Sequence, residues 1–150
     1  MIIDIPFEPA AKRAPVAAHN PKTKIPIIRD PDRDRKNDIA EWIFKNYKLP
    51  EKPYECALEI DFLFRMPLAP SLSNKEMQKR LDYKWALDNK KDLDNMQKLY
   101  QDILNFGILK GKIFTDDHII CQAKSTKIWS PNPGILITIS VINYKYCIAI

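Results

Sequence analysis

Residues 92–107, DLDNMQKLYQDILNFG, set the reading of the whole chain. Met96, Leu99, Tyr100, Ile103 and Leu104 recur at helical spacing and make one apolar stripe. Asp92 stands at the start, where free backbone N–H groups and the helix dipole favour a carboxylate. Gly107 falls where a helix commonly ends. At about 100° per residue, Asp94, Lys98, Asp102 and Asn105 share roughly a quarter of the circumference, opposite the stripe. The stretch therefore predicts a helix that buries one face and shows solvent a face of carboxylates and one lysine.

Downstream, Asp116-Asp117 leads into a strand over about 118–128. A second strand, the mostly β-branched Ile135–Ile142, follows the turn Asn132-Pro133-Gly134. Upstream lies a Lys-rich insert, residues 66–91, with a possible short helix from Ser73 to Tyr83 opened by the capping box Ser73-Asn74-Lys75-Glu76. Residues 54–65, YECALEIDFLFR, alternate with period two and place Tyr54, Cys56, Leu58, Ile60, Phe62 and Phe64 on one face. Asp30-Pro31 reads as an N-cap followed by the first helical position. That helix runs to about Tyr47 with Ile39, Ile43, Phe44 and Tyr47 on one face, and Pro50 and Pro53 close it. Residues 2–8 form a short first strand, and residues 9–28 a long basic loop. The order β-α-β-α-β-β predicts a single α+β domain over residues 1–150, with one mixed sheet packed by two main helices. The apolar end of the tail, residues 143–150, is expected to pack on the sheet or at a subunit contact.

The composition narrows the function. A net charge of +5 favours a polyanionic partner. Cys56, Cys121 and Cys147 are widely spaced and form no CxxC, which argues against a disulfide framework or a structural zinc. His19 and His118 are too far apart in sequence to suggest a histidine-based site. No stretch approaches the roughly 18 apolar residues of a membrane span, and the first residues lack the basic start of a signal peptide. The expectation is a cytoplasmic protein with no membrane partner and no small-molecule cofactor.

Asp92 and Asp94 at a helix start, and Asp116 and Asp117 at a strand entrance, are expected to converge around a divalent cation. Phosphodiester hydrolysis needs a water activated at neutral pH and charge stabilised on phosphorus, and carboxylate-held Mg²⁺ supplies both. Lys98, one turn after Asp94, reaches the same face and suits the scissile phosphate. Each piece also has a plainer reading. A lone DxD is usually a cap, Asp94–Lys98 an ordinary surface pair worth a few tenths of a kcal/mol, and Asp116-Asp117 a turn.

The segment 92–120, DLDNMQKLYQDILNFGILKGKIFTDDHII, resembles the signature of the RusA family of Holliday-junction resolvases, common in phages and prophages. That signature reads D-x-D-N-x-x-K-x-x-x-D-x-L, a G-containing turn, then D-D-x-x-I or V. Asp92, Asp94, Asn95, Lys98, Asp102, Leu104, Gly107, Asp116, Asp117 and Ile120 fill it in order. The insert ending in Lys90-Lys91 is similar to that of phage members, with Lys91 where many have Pro. Lys12-Arg13-Ala14-Pro15 is a looser echo of a basic K-x-R-P-R stretch. The resemblance implies a homodimeric, Mg²⁺-dependent endonuclease (Mn²⁺ as the alternative) that nicks four-way junctions. It implies Asp92, Asp94 and Asp117 as metal-binding catalytic carboxylates, Lys98 as required for cleavage, and Asp116 as a further ligand position. Lys12, Arg13, Lys22, Lys24, Lys90 and Lys91 are the expected DNA contacts. A nuclease for flaps or other branched DNA, and a catalytically silent DNA-binding relative, remain the rival readings.

Overall fold

A computed structural model describes residues 1–20, 22–87 and 89–142. The expected tail contacts of residues 143–150 lie outside the described residues. Four strands form the main sheet: β1 (Ile2–Ile5), β4 (Leu58–Pro67), β5 (Ile120–Ser130) and β6 (Gly134–Val141). Their spatial order is β1-β6-β4-β5, with β4 and β5 parallel and the other pairs antiparallel. The sheet is therefore mixed, as expected for this α+β domain, and the parallel pair requires a crossover between its members. Two helices supply it: α2 (Asn74–Tyr83) and α3 (Leu93–Leu104). The remaining helix, α1 (Arg33–Asn46), precedes β4.

Period-two alternation in β4 buries Leu58, Ile60, Phe62, Phe64 and Met66 on one face. The register aligns Phe62 with Ile137 and Ile3, and Phe64 with Ile135 and Ile5. These rungs meet the stripe of α3, in which Met96, Leu99, Tyr100, Ile103 and Leu104 are buried. Ile39, Ala40 and Ile43 of α1 complete that layer. Each fully buried aliphatic or aromatic side chain contributes about 1.5–3 kcal/mol from burial. The Ser73 hydroxyl accepts from the Glu76 N–H at 3.3 Å, so the capping box forms as the sequence predicts.

Several boundaries differ from the expectation. Residues 9–28 are not one loop: β2 (Val16–His19) and β3 (Pro26–Arg29) pair as an antiparallel hairpin. Asn20 builds its turn by accepting the Lys22 N–H at 2.9 Å, and Lys24 takes a left-handed φ of 57°. Two four-residue strands set among prolines are too short to show a period. Asp30 is not the cap of α1; its side chain accepts from the Asp32 N–H, and Asp32 is the N-cap. Phe44 points away from the core and is 40% exposed, with Lys112 over its ring. Tyr54 stands outside β4 in a lone bridge to Phe114, and Cys56 is exposed. α3 closes at Asn105, and Gly107 instead opens a 3₁₀ turn with φ 54°.

Candidate active site

Asp92 is the N-cap of α3, yet its side chain makes no capping hydrogen bond. Among the described residues its Oδ2 meets only the Asn95 amide, at 3.5 Å, and the residue is exposed beside the helix's positive end. Asp94, in the first turn, is 66% exposed, and Lys98 Nζ stands 3.0 Å from its Oδ2. That hydrogen bond holds the Asp94 carboxyl below the usual carboxylate range. Asp92, Asp94 and Lys98 thus form one exposed group at the N-terminal end of α3.

Asp116 and Asp117 lie elsewhere. Asp117 Oδ1 accepts from Asn105 Nδ2 at 3.2 Å, and Asn105 Oδ1 accepts from the Gly111 N–H at 3.0 Å. Asn105 caps the C-terminal end of α3, about 16 Å along the helix from Asp94 at ~1.5 Å per residue. Asp116 Oδ1 accepts from the His118 backbone and ring, and the backbone N–H leads in holding its carboxyl low. The reason for the separation is topological. A helix that returns the chain to a parallel strand runs opposite to it, so the entrance of β5 sits at the end of α3, not its start. Among the described residues, no three Asp, Glu, His or Cys side chains stand close enough to hold a metal. The expected convergence of the two aspartate pairs does not occur within one chain.

The donor chemistry still suits a hard cation at the helix start. Mg²⁺ takes oxygen ligands, keeps several waters, and is commonly held by one or two carboxylates together with substrate phosphate. Asp92, with its free carboxylate, and Asp94, two residues on, meet that requirement.

The six expected DNA contacts divide into two groups. Lys12 Nζ lies 2.6 Å from Asp102, and Arg13 Nε lies 2.8 Å from the buried Asp32. Lys91 Nζ binds Glu8 Oε1 and the Pro9 carbonyl, both at 2.6 Å. These three are engaged within the chain. Lys22, Lys24 and Lys90 are exposed, and no ion pair involves them among the described residues.

Asn105, the partner of Asp117, was not expected from the sequence, although its place on the charged face of α3 was the available signal. A buried ionic network was not expected either. Lys36, 6% exposed, donates to Asp30 at 2.8 Å and to Asp102 at 3.1 Å. Burial disfavours the Lys36 charge, but those two hydrogen bonds outweigh it and raise its pKa. Asp102, a position in the acidic motif, therefore ties residue 12 and α1 to α3. A cleft of about 560 Å³, lined in part by Phe7, Trp42 and Tyr100, contains none of the site aspartates.

Fold and site together define an α+β domain that presents carboxylate oxygens at a helix start on a basic protein. The description "Endodeoxyribonuclease RusA" belongs to the family model that matches residues 6–140, and the chain belongs to that family. None of the curated proteins matches the chain. No helix among the described residues is long and apolar enough to cross a membrane.

Proposed function

We propose that this endodeoxyribonuclease is metal-dependent and resolves four-way DNA junctions by paired symmetric nicks, in recombination or repair in the cytoplasm. The observation that carries the reading is the exposed Asp92–Asp94–Lys98 group at the positive end of α3, inside the family motif. Asp92 and Asp94 would hold Mg²⁺ or Mn²⁺, which supplies an activated water and charge neutralisation on the phosphate. Lys98 places an ammonium one turn away, where it balances negative charge developing on the scissile phosphate. Asn105 orients Asp117 through one hydrogen bond, and Asp116 is pinned by His118.

A four-way junction is close to two-fold symmetric, so paired cuts call for two sites related by a two-fold axis, as in a homodimer. The distance between the two aspartate pairs favours the same assembly, since a partner subunit could bring its own carboxylates to the exposed helix start. Lys22, Lys24 and Lys90 remain free to meet phosphates, and binding through them should weaken steeply with salt.

The test is cleavage of a synthetic mobile four-way junction with Mg²⁺, Mn²⁺ or EDTA, using wild type and Asp94→Asn, with flap and linear duplex as comparison substrates. Metal-dependent symmetric nicks that Asp94→Asn abolishes support the reading. Preference for flaps would redirect it to other branched DNA. Tight junction binding without cutting under either metal would overturn it and leave a catalytically silent DNA-binding relative.

A further inference from the structure

A second feature sits beside the helix start, on the Lys-rich insert. Tyr83, Trp85 and Leu87 are 57%, 49% and 70% exposed, three large side chains at alternate positions of one short segment. They rim a pocket of about 260 Å³ together with Lys79, Arg80 and the almost buried Trp129. The Arg80 guanidinium lies 4.7 Å over the Trp129 ring, and Lys84 Nζ lies 5.6 Å from the Trp85 ring centre. Glu76, also at the rim, accepts from the Ser73 hydroxyl in the α2 cap. Residues 74–91 carry six basic and three acidic side chains.

The segment is held firmly. Lys84 O accepts from Trp129 N at 2.8 Å, Ala86 N donates to Lys127 O at 3.2 Å, and Trp85 bridges Ile128. Lys127 Nζ then donates to the carbonyls of Asn89 and Lys91, both at 3.0 Å. The edge of β5 thus anchors residues 84 and 86 on one side and 89 and 91, next to Asp92, on the other.

We propose that Tyr83 and Trp85, flanked by Lys79, Arg80 and Lys84, are a stacking platform for unpaired nucleotides of the DNA strand that enters the Asp92–Asp94 site. Aromatic faces accept any base, and the cations meet the flanking phosphates, which is the chemistry that recognises single-stranded DNA. Duplex bases already stack on each other and cannot occupy such a surface. The platform therefore selects branch points, where stacking is interrupted. This inference rests on the branched-DNA reading above and gives it a source of substrate selection outside the carboxylates.

The test is fluorescence anisotropy in EDTA with labelled single-stranded, four-way-junction and linear-duplex DNA. Wild type is compared with Trp85→Ala, Trp85→Phe and Tyr83→Ala, and circular dichroism verifies folding. Trp85→Ala should weaken single-strand and junction binding about tenfold and leave duplex binding within about twofold, while Trp85→Phe stays near wild type. Equal weakening on all three DNAs would overturn the proposal by showing a general electrostatic or folding role. Unchanged binding to every DNA would also overturn it and leave the surface to a protein partner. The two readings fail separately. Wild type that cuts junctions, with Trp85→Ala binding unaltered, removes the platform and keeps the nuclease. Trp85-dependent single-strand binding without metal-dependent cutting does the reverse.

Discussion

Asp94 and Asp102 occupy the same face of the same helix, two turns apart, and live in opposite surroundings. Asp102 accepts two ammonium groups, from Lys12 and Lys36, and the second of these is almost buried. Asp94 is two-thirds exposed and has one exposed lysine for company. The first carboxylate is consumed by the fold, because with Asp30 it holds the charge of Lys36, the nearly buried lysine of α1. The second is left over at the end where the dipole attracts anions and where cation and phosphate have access. A motif of acidic residues is thus two things at once, a brace at one end of the helix and a reactive surface at the other.

The sharpest way to break this contrast is to remove Lys36. Lys36→Ala takes one ammonium from each of two partly exposed carboxylates, Asp102 keeping Lys12, and should cost about 1.5–3 kcal/mol of stability, read from urea unfolding. Asp94→Asn should do the opposite: junction cleavage falls at least ~100-fold, or about 2.7 kcal/mol in transition-state terms, with the urea midpoint unchanged. If Asp94→Asn unfolds the protein, or Lys36→Ala leaves it as stable as wild type, the division between brace and reactive end is wrong. Lys98→Ala refines it further, since so exposed a pair adds little to stability while cleavage should drop at least ~10-fold.

The smallest effect is on pH. The hydrogen bond from Lys36 lowers the Asp30 pKa, so its contribution is present above the unfolded value near 3.9. It is lost as pH falls through the lower folded value. Lys36 has a raised pKa, so its contribution is present below about 10.4 and is lost as pH rises through the folded value. The network's share of stability should therefore be flat between about pH 5 and 10, and Asp30→Asn should blunt only the acid limb. A midpoint that moves near neutral pH in an Asp30-dependent way would contradict this account.

What could be seen in the sequence follows from which interactions are local. The alternation of Leu58 to Met66, the stripe of α3 and the Ser73 cap all lie within a few residues, and the structure carries each of them. The ionic network does not, because Lys36 meets Asp102 across 66 positions and Lys12 meets it across 90. Lys12 and Arg13 therefore looked like free cations. The placement of Asp117 was hidden for a different reason: a short sequence gap between α3 and β5 suggested proximity to Asp92, whereas the strand entrance faces the far end of the helix. The β2–β3 hairpin was obscured by Pro15 before β2 and Pro26 at the start of β3, in strands too brief to show alternation.

The pairing of β1 has a consequence for how the protein is made. Ile2 and Ile3 find partners only at Thr138 and Ile137, and the central β4 takes both of its neighbours from beyond residue 119. A nascent chain emerging residue by residue holds β1 and the central β4 unpaired until β5 and β6 have left the ribosome. Sheet formation must then wait for residue 141 to emerge and proceed slowly, as the wide separation of contacting segments dictates. Until that moment Ile60, Phe62 and Phe64 are an aggregation hazard for chaperones to manage.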